Sequence, residues 1–243
     1  SSTPYYLRVR EYSDLENRDI WEYQLDLSPA EIEMVLAHAW ELGSVRFDYF
    51  FFDENCSYHI LSLLDVARPS LKLTDDFVWH TIPVDTVKVA MTLPGLVKHV
   101  RYRPSQLSLL QARADTLQPQ QLQWAKELSL GTHALAALNG QATSPLEAAQ
   151  VLEFSDLYLS YLQAVGSVAQ KDADERLHAL RLARSGYPVV ATATPQTPAT
   201  RPDQGHSSGR LSLAYGQQDR QSFVEIGFRP ALHDLLDPEP GYA

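Results

Sequence analysis

The chain has 243 residues and a formal net charge of −10, and 44% of its residues are hydrophobic and 10% aromatic. This composition is typical of one large or two small globular domains rather than of a disordered chain. The acidic balance excludes nucleic acid as a main partner, because a phosphate-binding face needs a basic surplus. The sequence contains no apolar stretch of about 18 residues, the length that predicts a transmembrane helix. Its single cysteine, Cys56, excludes an internal disulfide framework.

The first 104 residues combine predicted strands with predicted helices. Four segments rich in aromatic and β-branched residues predict strands: residues 5–12, 20–27, 45–52 and 96–103. The second segment has the clearest pattern, because Trp21, Tyr23 and Leu25 alternate with polar residues. This alternation is typical of a strand with one buried face.

Helix-start signals mark the first predicted helix. Ser28, Pro29 and Glu31 supply an N-cap, a proline at the first helical position and the glutamate of a capping box. They predict a helix that ends at Gly43. Its apolar side chains follow the helical period: Ile32, Val35, Leu36, Ala39 and Trp40. Two further helices are predicted in this region: residues 55–67 and 81–91.

Residues 105–185 are rich in Leu, Ala, Gln and Glu at helical spacing. Four helices are predicted there: residues 105–116, 119–138, 144–166 and 172–185. Residues 188–205 are rich in Pro, Thr and Ala and carry little charge. Such a composition is typical of a linker or of an extended crossing segment.

After this segment the hydrophobic period changes to two. Residues 211–215 and 224–228 alternate apolar and polar side chains, and residues 216–219 predict a turn between them. The pattern predicts a β-hairpin. Because a lone hairpin is marginally stable in water, we expect this one to dock on the first domain or to begin a larger β-structure.

Residues 47–64 carry the strongest chemical signal in the chain. An aromatic run predicts a buried strand, and Asp53 and Glu54 form an acidic turn after it. Asn55 is placed to cap the helix that follows, with Cys56 in its first turn. The helix dipole and the free backbone N–H groups favour a thiolate at this position. Cys56 is therefore a candidate nucleophile.

Helical spacing also brings a histidine close to this cysteine. Five residues follow the helical period and share one face: Cys56, His59, Ile60, Leu63 and Leu64. We expect this face to pack against a sheet. His59 is one turn away and is expected to reach the Cys56 sulfur, because helical side chains lean toward the N-terminus. Unbonded N–H groups of the first turn are candidate donors to an oxyanion.

Both residues also have structural interpretations. A single cysteine on an apolar helix face is often a small core residue, and the charges of Asp53 and Glu54 raise the pKa of a nearby thiol. His59 is equally compatible with a hydrogen-bonded core histidine. None of the eight histidines takes part in a zinc signature. No metal and no cofactor is expected.

Several short motifs occur in order: Pro4-Tyr-Tyr, Glu11-Tyr12, Glu16-Asn-Arg18-Asp-Ile-Trp21, Leu25-x-Leu-Ser28, and Asn55-Cys56-Ser57-Tyr58 followed by Leu61-Ser-Leu-Leu64. This order resembles the Lnb N-terminal periplasmic domain family over roughly residues 4–104. The family is related to permuted papain-like folds of the NlpC/P60 group. The resemblance implies an α+β fold with a cysteine-bearing helix on an antiparallel sheet, here with a helical insertion and a C-terminal hairpin region.

On this basis the chain is predicted to contain four segments. The expected segments are a partial papain-like thiol domain (1–104), a helical region (105–187), a Pro-rich linker (188–205) and the start of a β-rich, barrel-like region (206–243). The last segment is similar to the region that leads into an outer-membrane portion in longer members of the family.

Members of the family are linked to bacterial lipoprotein N-acylation, an acyl transfer through a thioester. By resemblance, Cys56 matches the nucleophile of the family's Asn-Cys motif, and Asn55 and His59 complete the candidate site. The implied substrates are an acyl lipid, a lipoprotein or a peptide. The implied location is the periplasm or the bacterial outer membrane, with association with an outer-membrane β-barrel as a further expectation.

The family's histidine lies upstream of the cysteine, in a Gly-His-x-x-Leu-Arg type strand, whereas residues 1–37 contain no histidine. We therefore expect the sequence, which begins at Ser1 without a methionine, to start after that motif. Without that histidine the expected site is either inactive or uses a substitute such as His59. The expected function is a cysteine-dependent acyltransferase or amidase of the cell envelope. The alternative is a non-catalytic periplasmic or outer-membrane module for binding or anchoring.

Overall fold

The computed structural model of the chain describes residues 7, 9, 12–13, 16–48, 50, 54–78, 80–138, 144–191, 193–219 and 221–229. These residues form two compact units. The first unit contains residues 23–101 and 198–229, and the second contains the residues up to 22 together with residues 102–197.

The described part of the chain is mixed α+β, as predicted. Its helices are α1 (Pro29–Glu41), α2 (Cys56–Ala67), α3 (Pro83–Thr92), α4 (Gln106–Ala114), α5 (Pro119–Leu130), α6 (Pro145–Ala164) and α7 (Gln170–Ser185). Its strands are β1 (Ile20–Leu25), β2 (Val97–Arg103), β3 (Arg210–Gln218) and β4 (Gln221–Arg229). β1 pairs with β2 and β3 pairs with β4, and both sheets are antiparallel.

Local signals in the sequence set the start of α1. The Ser28 hydroxyl accepts a hydrogen bond from the Glu31 N–H, and the Glu31 carboxylate accepts one from the Ser28 N–H. The predicted capping box is therefore confirmed. The apolar face of this helix is largely open to solvent: Ile32 and Leu36 are exposed, and Trp40 is 88% exposed.

The core of the first unit forms around α2. Leu61 and Leu64 of this helix are buried together with Leu73 and Leu96. Partly buried side chains surround these four: Leu25, Leu27, Leu71, Phe77, Val89, Ala90 and Leu93. The Asp65 carboxylate accepts the Leu73 N–H at 2.8 Å, which fixes the chain after α2 to the helix. Leu61 and Leu64 thus hold the helix that carries Cys56 in this core.

The core of the second unit forms around α6. This helix buries seven of its side chains: Ala148, Ala149, Val151, Leu152, Phe154, Ser155 and Leu159. Against α5, the Ser155 hydroxyl donates to the Ala125 carbonyl at 3.0 Å, and both residues are fully buried. Small side chains at a helix contact allow a short interaxial distance, and the hydrogen bond satisfies the buried hydroxyl.

The predicted hairpin is confirmed by the pairing of β3 with β4. One face carries three apolar cross-strand pairs: Leu211–Phe228, Leu213–Ile226 and Tyr215–Val224. All six side chains are exposed. On the other face the Phe223 ring covers Gly216, where any β-carbon would collide with the ring. β3 continues to Gln218, so the turn begins later than predicted.

The buried strand predicted over residues 45–52 is wrong in the described residues. Residues 45–48 and Phe50 belong to no strand, and Val45, Phe47 and Phe50 are exposed. The remaining residues of this segment lie outside the described part. An aromatic run favours a strand only where a neighbouring strand pairs with its backbone groups, and the two described sheets do not include this segment.

Two further predictions differ from the structure. Leu7 and Val9 have helical backbone, although residues 5–12 were expected to form a strand; most of that segment lies outside the described part. The helix predicted over residues 119–138 ends at Leu130, because Gly131 adopts a left-handed conformation with φ of 71°. Glycine is the residue that most easily ends a helix in this way.

An ion pair joins the start of α1 to the end of α2. Nη2 of Arg68 lies 2.7 Å from Oε2 of Glu31 and 2.7 Å from the Asp26 carbonyl oxygen. The two charged side chains are only 26% and 19% exposed. Hydrogen bonds from Arg68, and then from the Ser28 N–H, lower the pKa of Glu31 from 4.5 to about 2.

Glu31→Gln tests this ion pair through its pH dependence. Since the folded state lowers the pKa of Glu31, the carboxylate contributes stability above pH 4.5 that is lost as the pH falls toward about 2. The wild-type chain is therefore expected to lose its stability advantage over Glu31→Gln across this interval, as measured by urea unfolding. When both chains also carry Arg68→Met, the difference in the free energy of unfolding caused by Glu31→Gln is expected to lose most of its pH dependence. A wild-type advantage that stays constant from pH 5 to pH 2 contradicts the assignment.

Candidate active site

Helix α2 begins at a buried asparagine. Asn55 is 2% exposed, and its Oδ1 accepts hydrogen bonds from the N–H groups of Ser57 at 3.1 Å and Tyr58 at 3.3 Å. Its Nδ2 donates to the Thr81 carbonyl oxygen at 2.7 Å. The predicted N-cap is confirmed. The same side chain also ties the helix start to the segment that precedes α3.

Cys56 occupies the first position of α2 and is exposed. The prediction that it lies on a packed face is wrong, because the residue is exposed. Ile60, four residues further along the same face, is 57% exposed, whereas Leu64 of that face and the neighbouring Leu61 are buried. The interpretation of Cys56 as a small core residue is wrong for the same reason, and its thiol is open to solvent.

His59 lies one turn along α2 from Cys56. Its half-buried ring packs on Phe47, with 4.6 Å between ring centroids, and lies edge-on to Tyr58 at 6.1 Å. In the described part of the chain, no hydrogen bond links the His59 ring or the Cys56 thiol to another residue. The structure thus places the predicted nucleophile and histidine on one helix turn without a bond between them.

The first turn of α2 leaves one backbone donor available. The N–H groups of Ser57 and Tyr58 are bonded to the Asn55 side chain, and the His59 N–H is bonded to the Asn55 carbonyl at 3.2 Å. Among the described residues, the Cys56 N–H has no acceptor. An oxyanion that forms beside the thiol would meet this N–H and the positive end of the helix dipole.

An apolar pocket of about 350 Å³ lies beside this helix start. Residues of β1, α2, α3 and β2 form its wall, among them Leu25, Leu61, Thr86 and Ala90. The volume falls in the range of small-molecule sites, about 300–1,000 Å³. Neither the pocket nor its residues were predicted, because the sequence gives no signal for side chains that converge from four distant elements.

Ile60 connects the pocket to the cysteine. It lines the pocket and is also exposed, so it lies at the mouth. Residues four apart on a helix have β-carbons about 5–6 Å from one another. Cys56 precedes Ile60 by four residues and therefore lies next to the mouth of the pocket.

A segment from the C-terminal part of the chain packs on the same unit. The Tyr23 hydroxyl, on the pocket wall, donates to Oδ1 of Asp203 at 2.7 Å. Lys88 of α3 donates to the His206 carbonyl at 2.6 Å, and Ser208 is hydrogen-bonded to Asp85. The sequence predicts a linker or an extended crossing segment over residues 188–205 and the start of a β-rich region from residue 206, and neither pattern contains a signal for these long-range bonds.

Residues 1–92 match the Lnb N-terminal periplasmic domain. The family resemblance inferred from the sequence motifs is thereby confirmed for this segment, which includes Asn55, Cys56 and His59. Residues 100–196 match a Domain of unknown function (DUF7842), and residues 199–243 match another Domain of unknown function (DUF7840). No curated protein and no solved structure shows significant similarity to the chain.

The Lnb match concerns a periplasmic domain. No helix in the described ranges has both the length and the apolarity needed to cross a bilayer. In the same ranges, no three or more His, Cys, Asp or Glu side chains are grouped so that they could hold a metal ion.

Asn55→Ala removes both the cap and the bond to Thr81. We expect the free energy of unfolding to fall by about 2–4 kcal/mol, since a cap contributes about 1 kcal/mol and an unsatisfied buried carbonyl costs about 1–3 kcal/mol. Amide hydrogen exchange in residues 57–67 is expected to accelerate accordingly.

Ser144→Ala is the matched control for this substitution. Ser144 caps α6 by accepting the Glu147 N–H, but it is exposed and has no buried bond to another described residue comparable to that of Asn55. We expect a loss of about 1 kcal/mol and unchanged exchange in α2. An equal effect of the two substitutions on α2 contradicts the double role of Asn55.

Proposed function

We propose that this protein is a cell-envelope thiol acyltransferase or amidase that works through a thioester on Cys56. The observation that carries the proposal is an exposed cysteine at the first position of a helix, one turn from Ile60 at the mouth of an apolar pocket. Solvent access and a helix N-terminus are the conditions under which a thiol acts as a nucleophile. The match of residues 1–92 to a periplasmic domain supports the location.

The proposed fold of the thiol domain is the permuted papain-like, NlpC/P60-type arrangement. Two of its expected parts support this assignment: the cysteine-bearing helix α2 and the antiparallel β1–β2 sheet. In such a domain the cysteine begins a helix and the sheet supplies the neighbouring wall. Here β1 and β2 supply Leu25 and Val97 to the wall of the pocket.

The proposed reaction begins when the Cys56 thiol gives its proton to His59 and the resulting thiolate attacks an acyl carbonyl. As the S–C bond forms, the carbonyl oxygen becomes an oxyanion beside the Cys56 N–H. Collapse of this intermediate breaks the bond to the leaving oxygen or nitrogen, which takes a proton from His59. An amine or water then attacks the thioester, gives its proton to His59 and releases the thiolate. Asn55 acts by fixing the helix start.

The lining of the pocket favours an acyl chain over a peptide as the bound group. Each methylene moved from water into an apolar site contributes about 0.8 kcal/mol. A peptide amide buried there without a partner costs about 1–3 kcal/mol instead. The proposed donor is therefore an acyl lipid or a lipoprotein, with transfer to an amine or hydrolysis as the second step.

The test is acylation of Cys56 by p-nitrophenyl dodecanoate, followed as a burst of p-nitrophenolate and as a mass increase on the peptide that contains Cys56. His59→Gln is expected to slow the burst by about 10²-fold or more, the usual contribution of acid–base catalysis.

Two variants serve as controls for this experiment. Cys56→Ser removes the nucleophile and is expected to abolish the burst. His99→Gln replaces an exposed histidine on β2 and is expected to leave the burst unchanged. A burst that survives in Cys56→Ser, or that responds equally to both histidine variants, contradicts the proposed roles.

Envelope anchoring through the β3–β4 hairpin is a second candidate function. The observation that favours it is the continuous apolar face of the hairpin, whose six side chains are all exposed. Monomeric proteins rarely expose a contiguous apolar patch of this kind unless it binds a partner or a membrane. The proposed partner is the lipid of the bacterial envelope.

Leu213→Asn combined with Ile226→Asn tests anchoring by placing two polar side chains in the centre of this face. Sedimentation with vesicles of phosphatidylethanolamine and phosphatidylglycerol is expected to fall at least fivefold, because about two large apolar side chains no longer enter the lipid. Ala214→Asn, on the opposite face of β3, is the control and is expected to bind like wild type. Equal binding by all three proteins contradicts the candidate.

A further inference from the structure

One residue of the pocket wall has its side-chain hydroxyl hydrogen-bonded to a distant part of the chain. The Tyr23 side chain lines the apolar pocket, and its hydroxyl donates to Oδ1 of Asp203 at 2.7 Å. Asp203 is not part of the pocket wall. The hydroxyl is therefore engaged outside the cavity, and Tyr23 contributes its aromatic ring to the wall.

The acceptor is itself fixed in place. The Asp203 side chain is only 5% exposed and is bound by Nε of Arg201 at 3.0 Å and by Nη2 at 2.9 Å. A two-pronged arginine–carboxylate pair restricts both position and orientation. Hydrogen bonds from Arg201 and Tyr23 lower the pKa of Asp203 although burial opposes them, which keeps the carboxylate an acceptor at neutral pH.

The segment around Asp203 is also bonded to the helix on the other side of the pocket. Lys88 of α3 donates to the His206 carbonyl, and Ser208 is hydrogen-bonded to Asp85 of the same helix. α3 supplies Thr86 and Ala90 to the pocket wall. Residues 201–208 thus hold two of the elements that form the pocket.

A free tyrosine hydroxyl would change what this pocket accepts. In an apolar cavity an unpaired hydroxyl is unfavourable with an alkyl ligand and favourable with a ligand that offers a hydrogen-bonding partner. With its hydroxyl held by Asp203, Tyr23 presents an apolar surface only. The chemistry of the wall then depends on a residue that does not touch the ligand.

We propose that Asp203 is a positioning residue for the pocket, which holds Tyr23 so that the cavity selects unsubstituted alkyl chains over hydroxylated ones. The inference rests on the proposed function, since it takes the pocket to be the site of the acyl chain. It also assigns a role to the C-terminal segment. Tyr23 lies within the Lnb match and Asp203 within residues 199–243, so two separately matched segments determine the selectivity of one site.

The experiment compares the binding of dodecanoic acid with that of two hydroxylated analogues, which carry the hydroxyl at the end or at the middle of the chain. Each acid displaces dansyl-undecanoic acid from the full chain. In Asp203→Ala, the affinity ratio of dodecanoic acid to at least one analogue is expected to fall about fivefold, the effect of one hydrogen bond on binding. A merely structural role would lower all affinities together and leave the ratio unchanged, which overturns the inference.

Three further variants test whether the change in the affinity ratio depends on the Tyr23 hydroxyl. Adding Tyr23→Phe to Asp203→Ala is expected to restore the wild-type ratio, because no hydroxyl is then released. Ser208→Ala loosens the same segment at α3 and is expected to leave the ratio unchanged. If Asp203→Ala does not fold, Arg201→Gln is expected to shift the ratio in the same direction. Its failure to do so also counts against the inference.

Ala90→Phe separates this inference from the proposed function. The larger side chain fills the cavity and is expected to abolish displacement of the probe by dodecanoic acid. Displacement that persists in Ala90→Phe means that the acid binds elsewhere, and the proposed acyl site fails. In a second outcome, Ala90→Phe abolishes displacement but Asp203→Ala leaves the affinity ratio unchanged. This result supports the acyl site and overturns only the role of Asp203.

Discussion

The candidate site depends on the hydrogen bonds of the Asn55 side chain. It is almost fully buried, its oxygen accepts from two backbone N–H groups of α2, and its nitrogen donates to the Thr81 carbonyl. A buried amide is stable only when its donors and acceptors are paired. These hydrogen bonds fix the first turn of α2 to the segment before α3. Cys56 lies in this fixed turn and is exposed to solvent.

The same geometry distributes the chemical roles within one helix turn. Asn55 uses its acceptor for the cap, so the N–H groups of Ser57 and Tyr58 are not available to a substrate. The Cys56 N–H is the one that remains among the described donors of that turn. Nucleophile and oxyanion donor therefore belong to the same residue, and Leu61 and Leu64 hold its helix in the core while Cys56 stays exposed.

Sequence patterns identified the elements whose signals are local. The caps at Ser28 and Asn55 and the helix start at Ser144-Pro145 depend on neighbours within a few residues, and each lies at the observed helix start. Local sequence patterns do not predict that Cys56 is exposed, because both faces of α2 carry apolar residues. Only the tertiary contacts of Leu61 and Leu64 decide which face is buried.

The described residues of the segment 45–52 form no strand for a related reason. A strand needs a partner, and no local pattern states whether one is present. The pocket and the Tyr23–Asp203 bond are still less accessible from sequence, since the bond joins residues 180 positions apart. Long-range pairing of this kind leaves no periodic signal. The family motifs, by contrast, marked the Asn55–Cys56 pair directly, because they are short and contiguous.

The position of Asp203 has a consequence for how the chain folds during synthesis. The second unit takes most of its residues from 102–197, whereas the first is completed only by residues that follow 197. A ribosome adds about 5–20 residues per second. Residues 102–197 of the second unit therefore emerge before the segment that bonds to Tyr23. If the second unit has already folded, the chain that must close between Tyr23 and Asp203 is effectively shorter, and the entropy of loop closure is reduced.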